Sequence, residues 1–203
     1  AFQKDTVYYT RDFLTAFFFS LFGKLIFYEI HTVPTRGRFF HSFVWRKSAG
    51  LIVISNGIKK ELVRLGISEK KITLAPDAVD VSRFVIAVLK EEARMKLNLP
   101  LDKKIVLYTG HLYAWKGADT LTEAAKKLDT NTLVYLVGGT EADVQNAKRK
   151  TQNVKNIIFI GHRPHQEIPL WLKAADLLVL PTSGKEKIGR EYTSPMKLFE
   201  YMA

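Results

Sequence analysis

Short apolar segments alternate with helical segments along nearly the whole chain, and this alternation constrains the fold more than any other feature. The predicted strands are Val7–Thr10, Leu25–Ile30, Leu51–Ile54, Ile72–Leu74, Ile105–Thr109, Thr132–Val137, Ile157–Ile160 and Asp176–Leu180. The predicted helices are Arg11–Phe22, Arg38–Ala49, Ser55–Leu65, Lys90–Leu97, Lys116–Leu128, Glu141–Lys150 and His165–Ala174. Strands that alternate with helices form parallel sheets covered on both faces. The sequence therefore predicts the α/β class.

The composition is typical of a globular protein that binds anions. Of the 203 residues, 47% are hydrophobic and 25% are charged. The net charge of +11 favours nucleotides, nucleic acid or acidic lipid as partners. There is no cysteine, so disulfides and thiolate metal sites are excluded. The apolar run Phe13–Phe22 ends before Lys24 and is shorter than the roughly 20 residues that a membrane span requires.

Glycines follow the predicted strands of the second half, at Gly110, Gly138, Gly139 and Gly161. Ligands of open α/β sheets bind at the carboxyl ends of the strands, and glycine lets a ligand approach the backbone closely. We therefore expect a binding site at this edge. Neither a GxGxxG fingerprint nor a P-loop motif is present.

The last stretch, Thr193–Ala203, has the pattern of a helix start. Ser194 is the predicted N-cap and Pro195 the predicted first helical residue. The apolar positions at helical spacing are Pro195, Leu198, Phe199 and Met202. This spacing predicts a stripe that faces the core.

Glu200 is the carboxylate of that otherwise nearly apolar helix, and a carboxylate so placed requires a partner. The free N–H groups of Met196 and Lys197 would form an anion site at the helix start. An anion there and a hydroxyl group at Glu200 would describe the phosphate and ribose of a nucleotide. The alternative is a buried helix whose glutamate pairs with a nearby lysine, and this stretch alone leaves both open.

Two further side chains are candidates. Lys116 begins a helix shortly after Gly110, where it is either a phosphate ligand or a solvated surface lysine. His31 ends a strand of the first half and is either functional or structural. Asp-x-Asp is absent, the other histidines lack the spacing of a metal cluster, and we expect no metal site.

Several segments resemble, in order, motifs of the family-four (group 1) retaining glycosyltransferases of GT-B fold. Tyr108–Gly117 resembles the "GRL…KG" segment of this family, and Leu136–Gly139 resembles its "LVG-G" strand end. The other matching segments are Asn156–Gly161, Ala175–Pro181, Ser194–Ala203, Tyr28–His31 and Ala75–Asp80 with Phe84. The resemblance covers nearly the whole chain.

This resemblance implies two Rossmann-like parallel-sheet domains that face each other across a cleft. Residues 1–85 would be the later part of the N-terminal, acceptor-side domain, and residues 86–203 a truncated C-terminal domain that binds the nucleotide sugar. Both domains would be incomplete. The sequence begins and ends inside predicted elements, and we expect it to be part of a longer protein.

The resemblance also assigns roles to residues. Lys116 would contact the donor diphosphate, Glu200 the ribose hydroxyls, and His31 the transferred sugar. The loop that contains Arg163 would flank the base. The remaining predicted donor-binding residues are Gly110, His111, Gly138, Ser194, Met196 and Lys197. We take His31 and Lys116 as the catalytic candidates.

The chain departs from the family pattern at three places. His111 stands where an arginine is common in the family, so one of the expected diphosphate contacts would be weaker or would depend on pH. The first glutamate of the family's E-x7-E motif falls on Tyr192, with Glu191 one residue away. Asp77-Ala78 replaces Asn-Gly.

We therefore expect a metal-independent transferase that moves a sugar, with retention, from a UDP- or GDP-sugar to a glycan or lipid-linked acceptor, without a cofactor. The alternatives are an epimerase or phosphorylase of the same fold and a non-catalytic binding module. We expect a cytoplasmic protein that binds no nucleic acid, with loose contact between its basic charge and an anionic membrane left open.

Overall fold

A computed structural model describes residues 6–113, 116–151, 154–182 and 186–203. The chain divides into two compact units. The first unit runs to Asp77 and also contains Lys187–Ser194, whereas the second comprises Ala78–Glu186 and Pro195–Ala203. The functional division into residues 1–85 and 86–203 stays a prediction.

The first unit contains a four-stranded parallel sheet of order β1-β2-β3-β4. Its elements are β1 (Val7–Thr10), α1 (Phe13–Leu21), β2 (Leu25–Ile30), α2 (Arg38–Lys47), β3 (Gly50–Val53), α3 (Asn56–Arg64) and β4 (Ile72–Leu74). The core is formed by apolar side chains of β2 and β3 with Trp45 of α2 and Ile58 and Leu62 of α3. The amphipathic pattern of α3 explains this packing, because Ile58 and Leu62 are one turn apart on the same face.

The second unit contains another four-stranded parallel sheet, of order β7-β6-β5-β8. Its elements are α4 (Lys90–Lys96), β5 (Lys104–Thr109), α5 (Ala118–Ala125), β6 (Thr132–Val137), α6 (Glu141–Lys150), β7 (Ile157–Gly161), α7 (Ile168–Ala174), β8 (Leu177–Leu178) and α8 (Met196–Met202).

Alternate residues of the central strands of this second sheet enter two different cores. Tyr135 and Val137 of β6 pack in one cluster with Trp171 of α7, whereas Val134 and Leu136 pack in another. This alternation follows from the two-residue period of a strand. The prediction of parallel sheets covered on both faces is confirmed.

The Phe-rich helix α1 is only partly a core helix. Ala16 and Ser20 are buried, but Leu14, Phe18 and Leu21 are more than half exposed. In the described ranges, no helix combines the length and the apolar character that crossing a membrane requires.

The predicted start of α8 is wrong in its details. Pro195, not Ser194, is the N-cap, and its side chain has no polar atom that could cap the helix. The Ser194 hydroxyl instead accepts a hydrogen bond from the Asp77 N–H at 2.9 Å. The oxygen that local sequence rules assign to the helix start is therefore used to hold a neighbouring loop of the first unit.

The predicted apolar stripe of α8 is wrong in part, since Pro195 and Phe199 are half-buried but the other two positions are exposed. Leu198 is 42% exposed and Met202 is 76% exposed, whereas Glu200 is buried. The helix turns polar side chains inward because these find hydrogen-bond partners in the second unit, as described below.

Candidate functional site

The carboxyl ends of β5 and β6 are packed too closely for side chains. Gly110 follows β5 with a φ of 137°, and Gly138 follows β6 with a φ of 127°. A Cβ atom at Gly138 would lie 2.3 Å from the Gly110 carbonyl oxygen, and one at Gly110 would lie 2.2 Å from Lys197 Cε. Gly138 requires glycine because a Cβ atom would meet backbone, and Gly110 favours glycine because of its positive φ, since the flexible Lys197 side chain could move aside. Gly110 makes room for the side chain of Lys197, and Gly138 makes room for the backbone of Gly110.

Two lysines lie near enough to the end of β5 for their charges to interact. The Lys197 ammonium lies over Gly110, since its Nζ would be 2.8 Å from a Cβ atom there. Burial, and after it the positive charge of Lys197, lowers the pKa of Lys116. Two cations near each other favour a bound anion, because its charge would relieve their repulsion. The structure thus brings together three of the predicted residues: Gly110, Lys116 and Lys197.

Glu200 is buried on α8, as the nearly apolar sequence around it suggested, with 8% of its surface exposed. His165 Nε2 lies 3.2 Å from Glu200 Oε1. The alternative of a lysine partner is therefore wrong for the described residues, since the partner is a histidine. His165 begins the short 3-10 helix His165–Glu167.

Tyr201, which the sequence analysis did not single out, anchors α8 to β5. Its hydroxyl accepts a hydrogen bond from the Thr109 N–H at 2.9 Å and lies 3.1 Å from the Thr109 hydroxyl. Burial raises the pKa of Tyr201, so the phenol stays neutral. The anchor ties α8, which also carries Lys197 and Glu200, to the end of β5.

The loop after β5 has its own supports. The Tyr108 hydroxyl donates to the His111 carbonyl oxygen at 2.7 Å, and the His111 ring stacks on Tyr113 at 5.0 Å with 6° between the planes. Hydrogen bonds from Thr140 first, and the nearby His111 last, lower the pKa of Asp143. The His111 ring is therefore packed against a neighbouring side chain of the same loop.

Arg163 is exposed beyond the end of β7. Its Nη1 donates to the His162 carbonyl oxygen at 3.1 Å, and its Nε lies 3.9 Å from Glu167. Met196 is exposed at the start of α8. The base-flanking role of Arg163 and the backbone role of Met196 stay predictions.

His31 lies in the first unit, at the end of β2. Its Nε2 lies 2.5 Å from Glu29 Oε1, so the ring is held by a carboxylate of its own strand. The two residues line a cavity of about 390 Å³ together with Tyr28, His41 and Trp45. Burial lowers the pKa of His41 in this cavity.

Sequence reasoning missed His165 and Tyr201 as partners within the site. Both contacts join residues far apart in the chain, since the residue numbers differ by 35 for His165 and Glu200 and by 92 for Thr109 and Tyr201. The one available signal was the polar pair Glu200-Tyr201 inside an apolar helix. In the part of the chain that the structure describes, no group of three or more His, Cys, Asp or Glu side chains could hold a metal ion.

The model of the family "Glycosyl transferases group 1" matches residues 90–203. A putative teichuronic acid biosynthesis glycosyltransferase from Bacillus subtilis is 31% identical over 133 residues, which cover 65% of this chain and 32% of that protein. An Escherichia coli UDP-Gal:alpha-D-GlcNAc-diphosphoundecaprenol alpha-1,3-galactosyltransferase is 29% identical over 150 residues, which cover 69% of this chain and 38% of that protein.

Among solved structures, Anabaena HepE in complex with UDP superposes with a TM-score of 0.73 at 14% identity. The match covers 89% of this chain and 54% of that one. The chain thus spans about a third of the length of the curated relatives it matches and about half of the solved structure.

Proposed function

Because the chain belongs to the glycosyl transferases group 1 and has the GT-B fold, we propose that it transfers a sugar from a nucleotide diphosphate sugar to a glycan or lipid-linked acceptor with retention. The Escherichia coli relative supports the donor and the acceptor, since its name specifies UDP-Gal and a diphosphoundecaprenol acceptor.

The proximity of Lys116 and Lys197 near the end of β5 is the observation that carries this proposal. A nucleoside diphosphate leaves with increasing negative charge as the sugar bond breaks. Fixed positive groups stabilise such charge in the transition state without reorganising. Lys116 is the catalytic candidate for this role, with Lys197 beside it.

The remaining proposed contacts with the donor involve residues of the second unit. Glu200 would accept hydrogen bonds from the ribose hydroxyls, and Arg163 would flank the base. Gly110 leaves room for the Lys197 side chain, and Gly138 lets the backbone approach Gly110 closely. His111 would lie near the diphosphate, in the place where the family commonly has an arginine. These roles rest on the family resemblance together with the positions described above.

The proposed departure of the diphosphate uses no metal, because Lys116 and Lys197 supply the positive charge that a divalent ion supplies in other transferases. His31 is proposed to contact the transferred sugar. Its ring is held by Glu29, so it would present its second nitrogen, Nδ1, to a hydroxyl group. The protein is proposed to act in the cytoplasm, where its basic charge would bring it loosely to anionic lipid.

The test of the proposal is a donor screen with the purified protein. UDP or GDP should raise the melting temperature, since a ligand that binds the folded state stabilises it. A matching nucleotide sugar should then release its nucleotide diphosphate when an acceptor is added. If neither diphosphate binds, the proposal is wrong. Release of the diphosphate or conversion of the donor without any acceptor would instead indicate an epimerase of the same fold.

A further inference from the structure

The buried carboxylate of Glu200 depends on one side chain. A carboxylate removed from water is strongly destabilised unless hydrogen bonds replace the lost hydration. Within the described residues, the hydrogen bond that reaches this carboxylate comes from His165. Its second oxygen, Oε2, receives no hydrogen bond from those residues.

His165 is held in place on its other side. Its ring lies edge-on to the Phe84 ring at a centroid distance of 5.8 Å and an angle of 82°. The residue also begins the 3-10 helix that leads into α7, directly after Pro164. The imidazole is thus fixed between an aromatic ring and the carboxylate, although 55% of its side chain is exposed.

We propose that His165 is a positioning residue that holds Glu200 in the orientation in which it accepts hydrogen bonds from the ribose hydroxyls of the donor nucleotide. The inference rests on the proposed function. A carboxylate has about four lone-pair sites, and the His165 N–H takes one of them. The others stay available for the two hydroxyl groups of a ribose. A positioned acceptor loses less conformational entropy when the ligand binds than a mobile one.

Removal of His165 should act on the ribose contact alone. The Glu200 carboxylate would then lack its fixed partner, so it would lose its fixed orientation or turn towards water. Either change weakens a hydrogen bond to the ribose and leaves the diphosphate contacts of Lys116 and Lys197 unchanged. The loss should therefore depend on whether the ligand carries the hydroxyl groups.

The experiment compares UDP and GDP with their 2′,3′-dideoxy forms, which lack both ribose hydroxyls, by isothermal titration calorimetry. The wild-type protein should bind one ribonucleotide diphosphate about tenfold more tightly than its dideoxy form. His165→Phe keeps a ring against Phe84 but cannot donate to Glu200. This variant should bind the ribonucleotide about tenfold more weakly and the dideoxy form within about twofold of wild type, so the discrimination is lost.

Two further variants separate positioning from packing. His165→Gln carries an amide N–H donor and should restore part of the discrimination. Gln166→Ala changes the exposed neighbour of His165 in the same 3-10 helix and should bind both ligands as wild type does. Glu200→Gln should lose the same discrimination as His165→Phe.

The possible outcomes separate the two proposals. If the wild type discriminates and His165→Phe still does so, the positioning role is wrong while the proposed function stands. If the wild type binds a diphosphate without discrimination, the ribose role of Glu200 is wrong and the role of His165 falls with it. If neither diphosphate binds the wild type, both the proposed function and this inference are overturned.

Discussion

The Tyr201 hydroxyl accepts a hydrogen bond from the backbone N–H of Thr109 at 2.9 Å, and this contact ties α8 to the carboxyl end of β5. Thr109 is almost completely buried. The phenol therefore satisfies a backbone donor that water does not reach. The same contact sets the position of the preceding residue, Glu200.

Tyr201→Phe should destabilise the protein because it leaves the buried Thr109 N–H without a partner. The expected loss in the free energy of unfolding is about 1–3 kcal/mol. Urea denaturation followed by circular dichroism measures it. Tyr113→Phe is the matched control, since Tyr113 is 48% exposed and keeps its ring for stacking on His111. Equal stabilities of the two variants would contradict the role of the Tyr201 contact.

Asp176 should make the free energy of unfolding depend on pH under acidic conditions. Burial alone would raise the pKa of its carboxyl. Hydrogen bonds from Lys90, the Ile105 N–H and Arg94 outweigh this effect and lower the pKa to about 2. Because the pKa is lower in the folded state than its ordinary value of 3.8, the stabilisation is present above pH 3.8 and is lost as the pH falls towards 2.

Asp176→Asn tests this directly. At pH 7 it should lower the free energy of unfolding by about 1–3 kcal/mol, because Arg94 would stay buried without its carboxylate. The difference from wild type should shrink between pH 4 and about pH 2, as urea midpoints at several pH values would reveal. Asp102→Asn, at an exposed position, is the control. A difference that stays constant with pH would argue against the ionised contact.

Lys116→Ala should impair turnover more than folding. Loss of one fixed positive group beside a leaving diphosphate should reduce kcat by on the order of 10²-fold. Steady-state kinetics with the donor found in the screen measures this effect, with melting curves as a check on folding. Lys127→Ala removes an exposed lysine of the same unit and should leave kcat unchanged. If Lys116→Ala kept the wild-type kcat, Lys116 would not stabilise the leaving diphosphate.

Transfer should continue in excess chelator. The positive charge for the leaving group is assigned to Lys116 and Lys197, which a chelator does not remove. Rates measured with EDTA, and again after addition of magnesium or manganese, should agree within about twofold. An enzyme that stops in EDTA and recovers with either metal would require a divalent ion and would exclude the proposed mechanism.

The sequence by itself determined the fold class and indicated the edge of the second sheet at which we propose the site. Strand-length apolar runs that alternate with helices predict a parallel sheet covered on both faces, and this prediction does not require knowing which strands pair. Glycines after successive strands indicated the edge, because backbone conformation at Gly110 and Gly138 is a local property. Belonging to the family was also visible in local motifs, since these have fixed spacing.

The tertiary structure decided which side of α8 is buried and which residues form hydrogen bonds with its polar side chains. Helical spacing predicted that Leu198 and Met202 face the core, yet both are exposed. Glu200 and Tyr201 turn inward because His165 and Thr109, distant in the chain, offer them hydrogen bonds. A periodic pattern records only how apolar each position is. The energy of a buried polar group depends on its partner in space, which the chain alone does not specify.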